Sequence, residues 1–203
     1  MSKSNYHHGD LRRALIDAAL EIIAAKDIES LSLREVARRV GVSHTAPYRH
    51  FPDKDALVAA VAQEGFEALK GELEAALQAY PSQPITQLQA TGIAYVKYAI
   101  THRSHYRIMF GVYITCAEER FPSLYQVAMQ TLQVPYDAIV AGQAAGLIKM
   151  TDPKKLTWTV WSIVHGLATL LMDQQIPVSN AIAVDELATF VTQSLIEGIT
   201  IKQ

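Results

Sequence analysis

The chain has 203 residues, half of them hydrophobic, which supplies a sizeable core and excludes a globally disordered protein. Its 18 Lys and Arg against 20 Asp and Glu give a formal net charge of −2, which argues against a protein that coats nucleic acid over its whole surface. Only 19% of the residues are charged, and this low fraction favours residues hidden in a subunit interface.

The chain has one cysteine, Cys116, so an intrachain disulfide framework is excluded and nothing points to an oxidising compartment. No apolar stretch follows Met1 that would predict a secretory leader, and we expect a cytoplasmic protein. The uncharged stretch 156–172 is at the short edge of a membrane span, but Thr, Ser, His and Gly interrupt it. We predict a helix buried on two faces there, and no membrane partner.

The predicted elements are all helical, because strand-like alternation and hairpin dipeptides are absent from the sequence. Ser32 and Glu35 form a capping box, Gly41 marks a helix end, and Ser43 and Asp53 are further N-cap candidates. In chain order the helices are predicted at about residues 10–26, 33–40, 44–51, 54–80, 85–102, 106–110, 123–146, 153–173 and 184–200.

Residues 32–51 have the pattern of a helix, a tight turn at Gly41 and a second helix, which is the layout of a DNA-reading helix-turn-helix. His44, Thr45 and Tyr48 share one face of the predicted third helix and, with the Ala46 methyl group, suit base edges. Cations suited to phosphate contact border that face: Arg34, Arg38, Arg39, Arg49, His50 and Lys54. A three-helix bundle with a solvated charged rim is the alternative interpretation of these residues.

Three groups of residues carry a family resemblance: LSLREVARRVGVS at 31–43, YRHF at 48–51, and Asp53, Lys54 and Leu57. On these motifs residues 6–66 resemble the TetR/AcrR family of bacterial transcriptional regulators. The opening YHHGDLR at 6–12, the segment 43–51 and the late WSIVHGL at 161–167 resemble a subgroup with a WHG-type C-terminal domain.

The resemblance implies an all-α homodimer with an N-terminal three-helix bundle and a C-terminal helical domain. The DNA-binding domain would cover residues 1–53, and a ligand-binding and dimerisation domain would cover 54–203, with the last two long helices in the dimer interface. Transferred position by position, the base-contacting residues would be Arg34, His44, Thr45 and Ala46. The residues that hold the DNA backbone would be Ser43, Tyr48, His50 and Lys54, with Lys3 in the N-terminal arm. Arg49 borders the same surface.

Two positions depart from the family pattern. Asp27 stands where the family often has Gly after the first helix, and Asp tolerates the left-handed conformation better than most residues. Pro47 lies inside the short recognition helix, where a larger aliphatic residue is commoner. Pro47 would be about the fourth helical residue, and the N–H of a residue at that position has no intrahelical partner. We therefore expect the helix to tolerate the proline, with its last turn displaced.

Aromatic and methionine side chains collect in the second part of the chain and favour a pocket for a small hydrophobic or aromatic ligand. The candidate lining residues are Tyr95, Met109, Phe110, Tyr113, Tyr125, Met129, Trp158, Trp161 and His165. An ordinary core would have the same composition, and a structural His bonded to a carbonyl would have the same pattern as a ligand-orienting His165.

No cofactor and no metal are predicted, because the pairs His7-His8-x-Asp10 and His102-x-x-His105 each lack a further ligand at suitable spacing. Cys116 is interpreted as a buried residue without a redox role. No enzyme motif is present, so we expect a ligand-responsive regulator, a repressor that binds a palindromic double-stranded DNA operator as a homodimer. Two alternatives remain. One is an enzyme or ligand carrier whose N-terminal helix-turn-helix no longer binds DNA, and the other is an architectural DNA-binding protein that binds constitutively, without a ligand.

Overall fold

The computed structural model describes residues 8–26, 28–111 and 117–201, and within these ranges the chain is all-α, as predicted. The helices of these ranges are α1 (His8–Ala25), α2 (Leu33–Val40), α3 (Lys54–Gln78), α4 (Pro84–Thr101), α5 (Arg103–Met109), α6 (Ala117–Arg120), α7 (Pro122–Ala144), α8 (Pro153–Met172) and α9 (Ala181–Ile199). Two 3₁₀ turns, Ile28–Ser30 and Pro47–Arg49, complete the described secondary structure, apart from an isolated bridge between Ile148 and Thr200. The short helix α6 is absent from the predicted elements.

The ends of α2 follow the sequence signals closely. Ser32 Oγ accepts a hydrogen bond of 3.2 Å from the N–H of Glu35, and Gly41 ends the helix with a φ of 79°. The predicted capping box is only half formed, because the Glu35 carboxylate accepts from the Arg38 guanidinium instead of the Ser32 N–H.

The N-termini of the later long helices have similar side-chain caps. Asp53 Oδ1 accepts from the N–H of Ala56 at 2.8 Å at the start of α3, and Asp152 Oδ1 accepts from the N–H of Lys154 at 2.9 Å at the start of α8. The last helix begins earlier than predicted, because Asn180 accepts from the N–H of Ala183 and caps it.

The contacts divide the chain into two compact units: Met1–Gly65 with Ser104–Gln126, and Phe66–Arg103 with Val127–Gln203. The helix α3 runs without a break from one unit to the other at Gly65. The domain boundary predicted between residues 53 and 54 is a boundary between functions, whereas the division at Gly65 is one between compact units. The predicted boundary stays a prediction.

Each unit has its own buried core. In the first unit Gly65 lies against α5, since a Cβ at this position would be 2.6 Å from Met109 Sδ. In the second unit α4 packs against α8 and α9, and a Cβ at Gly92 would be 2.8 Å from Thr192 Cγ2 and 3.3 Å from Val164 Cγ1. Glycine at both positions therefore permits two helices to approach closely.

The apolar stretch 156–172 lies within α8 and has one buried side and one exposed side. In the single chain Trp158 is 49% exposed and Leu170 is 44% exposed. Burial of this second face against a partner subunit stays a prediction. No helix in the described part of the chain is long and apolar enough to cross a membrane.

Candidate nucleic-acid interface

The helix α2 is anchored in the first unit by its apolar face. Val36 and Ala37 are fully buried, and α2 packs against α1. At its C-terminus the N–H groups of Gly41 and Val42 both donate to the carbonyl oxygen of Ala37 at 3.0 Å. These bonds direct the chain sharply away from α2, as a helix-turn-helix requires.

The prediction of a short α-helix capped by Ser43 is wrong. Residues 43–46 form a turn, and the only helical segment that follows is the 3₁₀ turn Pro47–Arg49. The N–H of Ala46 donates to the Ser43 carbonyl at 3.0 Å, and the N–H of His50 donates to the Pro47 carbonyl at 2.9 Å. Pro47 has no N–H to complete the α-helical bond to Ser43, so the shorter spacing of bonds prevails.

The segment 44–49 nevertheless presents polar side chains on one exposed surface. His44, Thr45 and Arg49 are exposed, and Tyr48 is 52% exposed, whereas Pro47 is buried. Thr45 precedes the 3₁₀ turn and lies three residues before Tyr48, the spacing at which side chains of a 3₁₀ turn share a face. Ser43 Oγ lies 3.2 Å from Thr45 Oγ1, so these two hydroxyl groups are linked.

The cations around this surface differ in their availability. Arg38 is held by Glu35 through Nη2–Oε1 and Nε–Oε2 contacts of 2.6 and 2.8 Å, and Arg39 Nε donates to Glu21 at 2.7 Å. The hydrogen bond from Arg38 lowers the pKa of the Glu35 carboxyl, so this pair stays ionised at neutral pH. Arg34 and Arg49 are exposed and form no ion pair within the described ranges.

Two of the residues expected to hold the DNA backbone, Lys54 and His50, are constrained within the protein. Lys54 Nζ donates to the carbonyl oxygen of Ile28 at 2.7 Å, which ties the start of α3 to the turn before α2. His50 Nε2 is buried without a hydrogen-bond partner in the described structure, so a phosphate would reach His50 through Nδ1 unless the ring moves.

A charged contact at the start of α3 was not foreseen from the sequence. Arg120 of α6 lies 2.6 Å from Asp55 through Nη1–Oδ2 and 3.0 Å from Asp53 through Nη2–Oδ2. Its guanidinium also lies over the ring of Phe121, with Cζ 5.2 Å from the centroid. The hydrogen bond to Asp55 raises the pKa of Arg120 above its ordinary value. A spacing of 65 residues between the partners leaves no local pattern that would reveal the contact.

Three of the candidate ligand-binding residues meet in the second unit. Trp161 Nε1–H donates to the Tyr95 hydroxyl oxygen at 3.2 Å, and that hydroxyl lies 2.8 Å from His165 Nδ1. The rings of Trp161 and His165 have centroids 5.5 Å apart. Burial lowers the pKa of His165, so the imidazole is neutral at neutral pH.

The other candidate ligand-binding residues do not join this cluster. Met109 is fully buried in the first unit, to which Phe110 and Tyr125, both half-buried, also belong. Met129 is 42% exposed and Trp158 is 49% exposed. Tyr113 lies outside the described residues.

The last two helices leave large apolar side chains uncovered in the single chain. On α8 these are Trp158, Ile163 and Leu170, and on α9 they are Ile182 and Phe190, which is 70% exposed. Also on α9, Val184 is buried, and Leu187, Val191 and Leu195 are half-buried.

The two possible metal sites gain no support from the described residues. His102 stacks on Tyr98 with centroids 4.4 Å apart, and no group of three His, Cys, Asp or Glu side chains is found in the part of the chain that is described. His7, Cys116, Lys3 and Asp27 lie outside the described residues.

Two family models match the chain. Residues 15–61 match the model for bacterial regulatory proteins of the tetR family, and residues 88–195 match the model for the tetracyclin repressor-like C-terminal domain. The second match covers more than half of the chain. The protein belongs to the TetR/AcrR family.

Known relatives agree with this assignment. An uncharacterized HTH-type transcriptional regulator of Haemophilus influenzae is 55% identical over 47 residues, which are 23% of this chain and 23% of that protein. The HTH-type transcriptional regulator AcrR of Shigella flexneri is 29% identical over 139 residues, 68% of this chain and 64% of that protein. The matches thus span less than two thirds of these relatives. A solved structure of a protein with unknown function from Rhodococcus sp. RHA1 is 31% identical over 98% of this chain and all of its own, with a TM-score of 0.84.

The TetR family is one of DNA-binding transcriptional regulators and not one of enzymes. The prediction of a WHG-type subgroup stays a prediction. The family membership also decides between the two interpretations of residues 32–51, in favour of the helix-turn-helix.

Proposed function

We propose that this TetR-family regulator is a ligand-responsive repressor that binds a palindromic double-stranded DNA operator as a homodimer in the cytoplasm. The observation that carries the DNA-binding site is the exposed surface of His44, Thr45 and Tyr48 beside Arg34 and Arg49, which have no internal ion pair in the described structure. Polar groups for base edges and uncommitted cations for phosphates are what a DNA-reading surface needs.

The roles within this surface are those that the family resemblance implies. The proposed base-contacting residues are Arg34, His44, Thr45 and Ala46. The proposed backbone-contacting residues are Ser43, Tyr48, Arg49, His50 and Lys54. The shortened recognition segment supports a readout in which Thr45 and Tyr48 enter the groove from the same side.

The uncovered apolar faces of α8 and α9 support a homodimer. Trp158 on α8 and Phe190 on α9 are large hydrophobic side chains of the kind that a subunit interface buries. Two copies related by a two-fold axis would read two half-sites about 34–36 Å apart, which is why the operator would be palindromic.

The cluster of Tyr95, Trp161 and His165 supports a site for a small hydrophobic or aromatic ligand. It combines aromatic walls with a few polar groups, which is typical of small-molecule sites. The helix α3 links this unit to the helix-turn-helix without a break. A ligand that binds more tightly to a state in which the spacing of the two helix-turn-helix units does not match the half-sites would favour that state. The protein would then release the DNA.

A selection experiment tests the DNA-binding part. Purified protein would select duplexes from a random-sequence pool, and binding to the recovered duplex would be measured over a range of salt concentrations. We expect an inverted repeat and a steep decrease of affinity with salt, and an R49A variant should reduce the slope of log affinity against log salt by about one. Recovery of no enriched sequence would contradict sequence-specific binding.

A reporter experiment tests the regulatory part. With the recovered duplex placed in a promoter, transcription should fall when the protein is present. Compounds that raise the thermal stability of the protein should restore transcription, whereas H165A should lose that response. Transcription that rises with the protein would refute repression, and a saturating compound that leaves the operator affinity unchanged would refute the ligand response.

A further inference from the structure

Three separate parts of the chain meet at the start of α3, all within the first unit. Lys54 Nζ reaches back to the carbonyl oxygen of Ile28 at 2.7 Å. On either side of Lys54, Asp53 and Asp55 accept hydrogen bonds from the two terminal nitrogens of Arg120 at 3.0 and 2.6 Å. A residue of α6, far outside the helix-turn-helix in sequence, thus takes part in the charge balance beside a proposed phosphate contact.

The charges at this junction cancel only when Arg120 is counted. Among Asp53, Lys54 and Asp55 the formal charge is −1, and the paired Arg120 brings the formal charge of these four side chains to zero. Phosphates of bound DNA would lie well within the screening length of about 8–10 Å from Asp53 and Asp55. Two carboxylates without a partner would therefore repel the DNA backbone where Lys54 is expected to attract it.

We infer that Arg120 is a positioning residue for DNA binding, which neutralises Asp53 and Asp55 so that the phosphate backbone can approach Lys54. The inference rests on the proposed backbone contact at Lys54. Fold stabilisation is a poor explanation of the contact, since the Arg120 side chain is 49% exposed and exposed ion pairs contribute little to stability.

The decisive variants are R120Q, D55N and the double variant R120Q D55N. Their affinities would be measured on a mixed-sequence DNA duplex at low salt and on the duplex recovered by selection. We expect R120Q to bind both duplexes about five-fold more weakly, because it leaves the two carboxylates uncompensated. The double variant should bind within about two-fold of the unmodified protein, because the repelling charge is removed together with its partner.

The rescue by D55N separates a positioning role from two others. If Arg120 only tied α6 to α3, removal of the second partner would not restore DNA affinity. If Arg120 itself contacted a phosphate, R120Q would reduce the slope of log affinity against log salt by about one, and D55N would not restore that slope.

Arg13 offers a matched control. Its guanidinium also joins two carboxylates, Asp17 at 2.7 Å and Glu64 at 2.8 Å, and its side chain is 59% exposed. Glu64 is ten residues from Lys54 along α3, a distance of about 15 Å. R13Q removes the same charge from the first unit and should change the DNA affinity less than about two-fold.

Two outcomes would overturn the inference. In the first, R120Q binds both duplexes with the affinity of the unmodified protein. In the second, the double variant binds DNA no more tightly than R120Q. Either result would leave the proposed function intact. An unmodified protein that binds neither duplex would instead refute the proposed function, and the inference with it.

Discussion

The Tyr95 hydroxyl lies between Trp161 and His165, 2.8 Å from His165 Nδ1. Because its oxygen already accepts from Trp161 Nε1–H, the arrangement favours donation of the Tyr95 proton to His165 Nδ1. The neutral imidazole then carries its own proton on Nε2. The hydroxyl group thus sets the tautomer of His165, whose pKa is lowered by burial.

His165 should make the stability of the protein depend on pH. Its folded pKa lies below the ordinary value of 6.5, so the unfolded chain binds the proton more readily. The contribution is fully present above about pH 6.5 and is lost as the pH falls from there towards the folded pKa. Chemical unfolding at several pH values should show a smaller loss of stability on acidification for H165Q than for the unmodified protein. Equal losses in both proteins would contradict this assignment.

Removal of the Tyr95 hydroxyl should destabilise the second unit. In Y95F the part-buried Trp161 Nε1–H and His165 Nδ1 both lose the hydrogen bond to the Tyr95 hydroxyl, at a cost of about 1–3 kcal/mol. Denaturant unfolding measures this directly. Y80F is the control, since Tyr80 is 40% exposed, and it should change the stability by less than about 0.5 kcal/mol. An effect of Y95F no larger than that of Y80F would rule out the bridging role.

Replacement of Pro47 should lengthen the recognition segment. In P47L the new N–H can donate to the Ser43 carbonyl, so the 3₁₀ turn can become α-helical. That change realigns His44 with Tyr48, and the duplex selected from a random pool should differ from that of the unmodified protein. P52A, at an exposed proline outside the 3₁₀ turn, serves as the control and should leave the selected duplex unchanged. An identical preference in P47L would show that Pro47 does not set the alignment.

Two glycines of α3 should respond to alanine with opposite sign. A Cβ at Gly65 would be 2.6 Å from Met109 Sδ, so G65A should destabilise the protein by about 1–3 kcal/mol. A Cβ at Gly71 meets nothing within 4 Å, so G71A should stabilise the helix by up to about 1 kcal/mol. Thermal unfolding of the two variants gives both signs. If Met109 is the obstacle, G65A should cost less in an M109A background than in the unmodified protein, which a double-mutant cycle measures. A neutral G65A would mean that Met109 moves aside at no cost.

The apolar face of α9 should control the oligomeric state. Phe190 is 70% exposed in the single chain, and F190E would place a charge in the proposed dimer interface. Sedimentation velocity should show a shift from dimer to monomer, together with a loss of affinity for the inverted repeat. M150E is the control, because Met150 is 77% exposed and lies outside α8 and α9. A dimer that persists in F190E would place the interface elsewhere.

Local signals were sufficient for most of the helices. Ser32 and Asp53 each cap the helix that follows. These caps could be predicted from the sequence because a capping hydrogen bond joins residues only two or three positions apart. The helical periodicity of the hydrophobic residues predicted the bounds of the long helices to within a few residues. The recognition segment and α6 were exceptions. In the recognition segment, the effect of Pro47 depends on which of two competing hydrogen-bond spacings the surrounding core accepts.

By itself the sequence determined the helical class, the helix-turn-helix and the family, because these depend on short motifs and on periodicity. Only the tertiary structure decided the partners of Tyr95 and Arg120, which are 70 and 65 residues away at His165 and Asp55. It also showed that Trp158 is exposed rather than joined to Trp161 and His165. Such contacts depend on how helices pack, and packing brings together side chains whose separation along the chain carries no signal.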